Sequence, residues 1–453
     1  MRTIPKLLIQ VFFLLIFSTS HAQLVSGPMP GHIELRTAKI WVEVKPGSQV
    51  DLWYWKKAAP QSAQKLSSSA SATAWFGPIV FDLVGLEFNT TYEYAVSINN
   101  KTGKKPTVAD GEVTTQDLWQ YRKPVPDFNF LTGSCAYTNE PFFDRPGTPY
   151  GKDSSIFETM SKEKSSFMLW LGDNWYTREA DYFSDWGMWY RASHDRSVRV
   201  LQKFLKSMPH YAIWDDHDYG PNNADKSFVL KETSRKVFMN YWANPSYGED
   251  NKGIYSKVSY NDCDFFLMDD RYFRSADDME PYILSQPNSE KRMWGQVQMQ
   301  WLKNSLIQSR APFKFIVTGS QVLNTASIYD CMQRYPVEFS ELMGFLTAEK
   351  VSGVIFLTGD RHHSEVIKHE RPGEYTLFDI TSSPLTSGPG KATGKEKDNP
   401  QRVPGTLVEA QNYSRITISG KAGERRLILE YLGVKGEKLG EWSIGEKDLR
   451  VVR

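Results

Sequence analysis

Six strand-sized apolar runs, at 128–131, 167–171, 211–214, 265–268, 313–317 and 354–357, each give way at once to polar residues. Amphipathic stretches that look helical alternate with them. Parallel α/β domains alternate in this way, and their sites form beyond the carboxyl ends of the strands. Four polar segments carry acids, histidines or a thiol. They are Gly133-Ser134-Cys135, Gly172-Asp173-Asn174-Trp175-Tyr176, Trp214-Asp215-Asp216-His217-Asp218 and Gly359-Asp360-Arg361-His362-His363. A single strand-terminal Asp is more often a helix cap or turn former than a ligand. Four such ends in series, spaced for crossover helices, are expected to converge on one edge of the sheet.

The residue types suit a pair of metal ions. Two ions close together need one anionic ligand that bridges them, and a carboxylate with lone pairs on both oxygens can do so; Asp173 is the candidate. A thiolate from Cys135 and a phenolate from Tyr176 suit a highly charged iron, whereas calcium prefers carboxylates and carbonyls. The competing readings are a buried tyrosine with a satisfied hydroxyl and a packed core thiol. His363 has the weaker claim of the adjacent histidines, because successive residues on a continuing strand face opposite ways. The rings of Trp175, Tyr176, Tyr182, Trp186, Trp189 and Tyr190 are expected mainly as core, with stacking against a leaving group as the alternative.

In their order, these segments resemble the PhoD-like alkaline phosphatase D family of the metallophosphoesterase superfamily. The resemblance spans 128–387 and includes Asp269-Asp270-Arg271-Tyr272-Phe273-Arg274 and the stretch 294–302, for which the sequence suggests no chemical role. It implies an α/β/β/α sandwich preceded by a β module. It also implies a phosphoric ester hydrolase using Fe(III) and Ca(II), with other divalent ions as alternatives. By similarity, Cys135, Asp173, Tyr176 and His362 would hold the iron, and Asp173, Asp216 and Asp360 the calcium. His217 would face the substrate as general acid, and Arg271 would grip phosphate. Attack on phosphorus would come from a metal-bound hydroxide, on monoesters or diesters. Asp218 stands where the family run Glu-x-x-x-Asn-Asn has Glu, which leaves open whether Asn223 reaches a metal. Gln321 is a further strand-end candidate, with a structural amide as the alternative.

The remaining sequence frames this domain, read as 127–453. Residues 23–118 read as an immunoglobulin/fibronectin III-like β-sandwich, with a partial tyrosine corner at 86–94, and as a structural module or one that docks protein or glycan. Residues 1–22 have the basic start, apolar run and small-x-small end of a signal peptide, so the protein is expected to be exported, periplasmic or extracellular, with no stable membrane span after cleavage. The run lacks the twin arginines common in the family, so a general secretory route is expected. With 54 Lys+Arg against 53 Asp+Glu there is no basic field for nucleic acid. Three cysteines allow one disulfide at most, leaving open whether Cys263 and Cys331 pair. Residues 385–406 read as a loop with little core potential. A non-catalytic cell-surface binding protein on a metal-stabilised scaffold is the alternative function. A redox or iron-storage role is opposed by the intact Asp216, His217 and Asp360.

Overall fold

A computed structural model describes residues 24–100, 102–327 and 329–451, so the expected leader lies outside the described residues. Seven strands come first: β1 (Leu24–Ile33), β2 (Thr37–Val44), β3 (Gln49–Lys56), β4 (Ala59–Ser69), β5 (Gly77–Val84), β6 (Thr91–Ile98) and β7 (Gly111–Thr114). They form two antiparallel sheets, ordered β1-β2-β5 and β4-β3-β6-β7. Period-two patterning explains the sandwich. Val50, Leu52 and Tyr54 of β3 turn inward, where they share a core with Ile40, Val42, Phe81 and Tyr94. The Tyr92 hydroxyl accepts the Glu87 N–H at 2.9 Å, closing the corner expected at 86–94.

The rest of the chain builds two larger sheets. The first comprises β8 (Phe128–Gly133), β9 (Met168–Leu171), β10 (His210–Ile213), β19 (Tyr413–Ser419), β20 (Arg426–Leu432) and β21 (Lys438–Gly445), in the order β10-β9-β8-β19-β20-β21. The second comprises β11 (Ser256–Tyr260), β12 (Cys263–Leu267), β15 (Phe313–Val317), β16 (Val354–Thr358), β17 (Glu365–His369) and β18 (Leu377–Thr381), in the order β11-β12-β15-β16-β18-β17. A short ribbon, β13 (Tyr282–Ile283) with β14 (Gln286–Pro287), lies outside both. Strands β8, β9 and β10 are mutually parallel, as are β12, β15, β16 and β18. Both sheets therefore carry a run of parallel carboxyl ends.

Aromatic side chains fill the space between the sheets. Phe130 of β8 stacks on Phe167 at 5.1 Å and meets Phe265 of β12 edge-on at 5.2 Å, while Phe265 stacks on Phe315 of β15 at 4.9 Å. All four are essentially fully buried, and each such ring contributes roughly 1.5–3 kcal/mol over exposure. The outer layers are helical. Residues of α1 (Ile156–Met160), α2 (Asp185–Ser197), α3 (Arg199–Ser207) and α5 (Lys231–Tyr241) pack with Met168, Trp170 and Ala212 of the first sheet. The helices α6 (Gln296–Gln308) and α7 (Pro336–Ala348) pack with the second sheet, α6 through Met299, Leu302 and Leu306 spaced along one face. The layers run α/β/β/α.

The sandwich is seated on the helices of the first layer. Trp41 donates its indole N–H to the Asn240 carbonyl at 2.7 Å, and buried Glu43 accepts from Ser193 of α2 and Tyr241 of α5 at 2.8 and 2.7 Å. Burial pushes the Glu43 carboxyl up to about 7.

One reading of the sequence needs correction, and one open question is settled. Residues 385–406 hold more core than their Gly, Pro and Lys content suggests. Leu385 is fully buried, and Glu396 is buried against Arg361 at 2.6 Å, because the polar residues of this segment find partners inside the fold. Cys263 and Cys331 are not paired; like Cys135 they are buried free thiols. The stretch 294–302 also gains a structural role. The Glu338 carboxylate accepts the N–H groups of Met293, Trp294 and Gly295, and Gln298 exchanges two hydrogen bonds with the Asp269 backbone. Among the described residues, no helix is long and apolar enough to cross a membrane.

Candidate metal centre

The parallel ends of β8, β9 and β10 meet the end of β16 across the gap between the sheets. The approach leaves no room for side chains. A Cβ on Gly359 would lie 2.7 Å from both the Leu171 carbonyl oxygen and the Ser134 Cβ. At Gly172, where φ is +90°, a Cβ would lie 2.6 Å from that of Asp215. Immediately beyond these points the backbone turns left-handed at Cys135 (φ 59°), Asp173 (52°), Asp360 (65°) and His362 (57°). Left-handed conformations cost non-glycine residues about 1–2 kcal/mol each, and such strain concentrates at functional sites.

Asp216 opens α4 (Asp216–Tyr219), whose cap is Asp215. Asp218 completes the capping box and accepts the Asn174 N–H at 2.9 Å, tying the turn after β9 to that after β10. One ligand atom each of Asp173, Asp216 and His217 lies within 4.8 Å of the others. The Cys135 Sγ is 3.6 Å from Asp173 Oδ2 and accepts from the Ser383 hydroxyl at 3.3 Å. Tyr176 lies flat on the His217 ring, centroids 4.3 Å apart, and both the Tyr176 hydroxyl and His217 Nδ1 are buried without a hydrogen-bond partner.

Burial, followed by the charge of Asp216, holds the Asp173 carboxyl well above the usual carboxylate range. Burial pushes Asp360 up to about 6 and Cys135 up to about 11, and it pushes the Tyr176 phenol up as well. Burial lowers His217 despite the pull of Asp216. This donor set fits cations: buried carboxylates, a thiol and an orphaned phenol converge where a positive charge would reverse every one of these penalties.

Asp173, Asp216, His217, Asp360 and His362 line a cleft of about 610 Å³. His217, assigned to the substrate by resemblance, sits within the ligand cluster itself. The His362 ring faces the cleft, with Nδ1 2.8 Å from the Gly388 carbonyl oxygen and Nε2 3.2 Å from the Tyr150 hydroxyl. Asn223 reaches the site through its backbone, donating N–H to Asp216 Oδ2 at 2.7 Å. Gln321 is committed elsewhere: its amide donates to Glu365 and Thr381 and accepts from Asn324, each at 2.9 Å.

Arg271, assigned to phosphate by resemblance, lies apart from the cleft lining. It is fully buried and is not among the residues that line the cleft. Its Nε donates to Asp215 Oδ1 at 2.6 Å and its Nη2 to Asp330 Oδ2 at 2.9 Å. The guanidinium neutralises the cap of α4 and a floor residue instead of facing solvent. The arginines that do line the cleft are Arg334 and Arg361, with Lys391 beside them. Sequence reasoning missed these, as well as Tyr150, Asp330 and Ser383. None follows an apolar run with a recognisable spacing, except Arg361, which stands inside a segment already singled out.

Comparison with known proteins agrees with this geometry. The PhoD-like phosphatase family model matches residues 134–427, and residues 21–110 match a domain of unknown function (DUF7800). Alkaline phosphatase D of Bacillus subtilis (strain 168) is 25% identical over 367 residues, 70% of this chain. The match covers 59% of that relative's length. A solved structure of PhoD superposes with a TM-score of 0.76 at 18% identity, covering 96% of this chain and 92% of the other. The purple acid phosphatase PPD1 of yellow lupin shares the fold at a TM-score of 0.64 and 11% identity, covering 93% of this chain and 75% of the other. With its family model matched over residues 134–427, well over half of its length, the chain belongs to the PhoD-like phosphatase family.

Proposed function

We propose that this protein is an exported, metal-dependent phosphatase that hydrolyses phosphate monoesters and diesters. The observation that carries the reading is the convergence of Asp173, Asp216 and His217 within 4.8 Å at a cleft whose lining also includes Arg334, Arg361 and Lys391. A lining that combines carboxylates with cationic side chains suits both cations and phosphate oxygens. Cys135, Asp173, Tyr176 and His362 would hold iron(III), and Asp173, Asp216 and Asp360 calcium. Bound there, the ions would lower the pKa of water and neutralise charge developing on phosphate.

The chain's own residues do the rest. Arg334 and Arg361 orient the phosphate, Arg361 being held in place by Glu396 at 2.6 Å. His217, when protonated, would hand its proton to the leaving alcohol; bound to a cation instead, it would complete the donor set through an imidazole nitrogen. Asp218 and Asp215 fix the turn that aims Asp216. Asp173→Asn tests the reading. The variant is expected to keep its secondary structure and thermal transition, lose bound metal and lose at least 10²-fold in turnover. Near-normal turnover with full metal content would contradict it.

A further inference from the structure

A second cavity, of about 700 Å³, opens from the cleft and shares Tyr150, His217 and Asn222 with it. Its wall is aromatic, formed by Tyr137, Phe143, Tyr150, Tyr176 and Tyr182. The rings form a continuous path away from the candidate ligands. Tyr176 stacks on His217 at 4.3 Å, Tyr137 meets Tyr176 edge-on at 5.0 Å, and Tyr150 meets Tyr137 edge-on at 4.8 Å. Phe143 and Tyr150 remain 38% and 44% exposed, so ring surface is open to a ligand.

The charges in this cavity cancel. Arg178 pairs with Asp144 and Arg145 with Glu179, each at 3.0 Å. The Tyr137 hydroxyl is taken by Asp144 at 2.6 Å, and that of Tyr150 lies 3.2 Å from His362 Nε2. Beside these paired groups, the exposed ring surfaces of Phe143 and Tyr150 are open to a ligand. Arg334, Arg361 and Lys391, by contrast, line the cleft and not this cavity.

We infer that this cavity is a leaving-group subsite for an uncharged aromatic ring, so that the substrate is the phosphate ester of an aromatic alcohol. The inference rests on the phosphatase reading: phosphate lies over Asp173, Asp216 and His217, and the alcohol side of the ester extends along Tyr176, Tyr137 and Tyr150. A ring stacked or packed edge-on against such a wall gains about tenfold in affinity per well-made contact.

The test titrates the metal-loaded full chain with two non-hydrolysable probes, benzylphosphonate and ethylphosphonate, by calorimetry. The expected result is about tenfold tighter binding of the benzyl compound. That ratio should fall at least threefold in Phe143→Ala and further when Tyr182→Ala is added. Phe143 is substantially exposed, so its loss opens no core cavity, and the ethyl probe reports whether the cleft is intact. Equal binding of the two probes by the native chain, or a ratio unchanged in the variants, would overturn the subsite alone. Binding of neither probe would overturn the phosphatase reading and the subsite with it.

Discussion

Arg271 shows how little the identity of a residue says about its task. A guanidinium suits phosphate, but this one is enclosed by Asp215 and Asp330, and the second partner lies 59 positions away in sequence. Only the fold supplies that partner. Removing one member of a buried ion network strands the others, so Arg271→Ala is expected to lower unfolding stability by about 3–5 kcal/mol, read from denaturant midpoints. An unchanged midpoint with a raised KM would return Arg271 to a phosphate-gripping role. Tyr176 is the opposite case. Its hydroxyl is buried and unpartnered, so Tyr176→Phe costs little stability. If iron(III) is bound through the phenolate, the protein should be coloured and this variant should bleach it in visible absorption. A colourless, iron-loaded native protein would remove Tyr176 from the ligand set.

At the scale of elements, the strand ends were legible because two local rules act together. An apolar run must stop where the sheet edge meets water, and Gly with Asp breaks the strand there. These rules located the four strand-end segments that contain Cys135, Asp173, Asp216 and Asp360, and the family resemblance singled out Asp216 and Asp360 within theirs. What they could not show is how one element seats on another. Ser193 and Tyr241 reach across from α2 and α5 to Glu43 of β2, and no sequence period encodes that meeting. The contact carries a pH signature. Because burial raises the Glu43 carboxyl from 4.5 to about 7, folding favours its protonated form. The associated stability is fully present below about pH 4.5 and is lost as pH rises through 7. A glutamine keeps the acceptor oxygen and removes the titration. Between pH 4.5 and 8 the native chain should therefore lose on the order of 3 kcal/mol relative to Glu43→Gln, as followed by denaturant midpoints across that range. Parallel pH profiles would contradict this account of the contact.

For the molecule as a whole, the site exists only because two sheets present their parallel ends to one another. The first supplies Cys135, Asp173, Asp216 and His217, and the second supplies Asp360 and His362. Gly172 and Gly359 allow the turns to touch. The sequence indicated one α/β domain with ligands on a common edge, and the family resemblance supplied the paired sheets. The cationic lining and the aromatic cavity came only with the coordinates. Lys391, Tyr137 and Tyr150 lie on loops, and Arg334 closes a single 3-10 turn, none of whose courses a local pattern sets. The central claim is that these ends together form a metal-dependent phosphoester site. The most direct test measures hydrolysis of a chromogenic phosphate monoester and diester by the full chain as purified, after chelation, and after calcium and iron are restored. The account predicts cleavage that chelation abolishes and the metals restore. Cleavage that survives complete metal removal, or no cleavage of either ester by folded, metal-loaded protein, would contradict it.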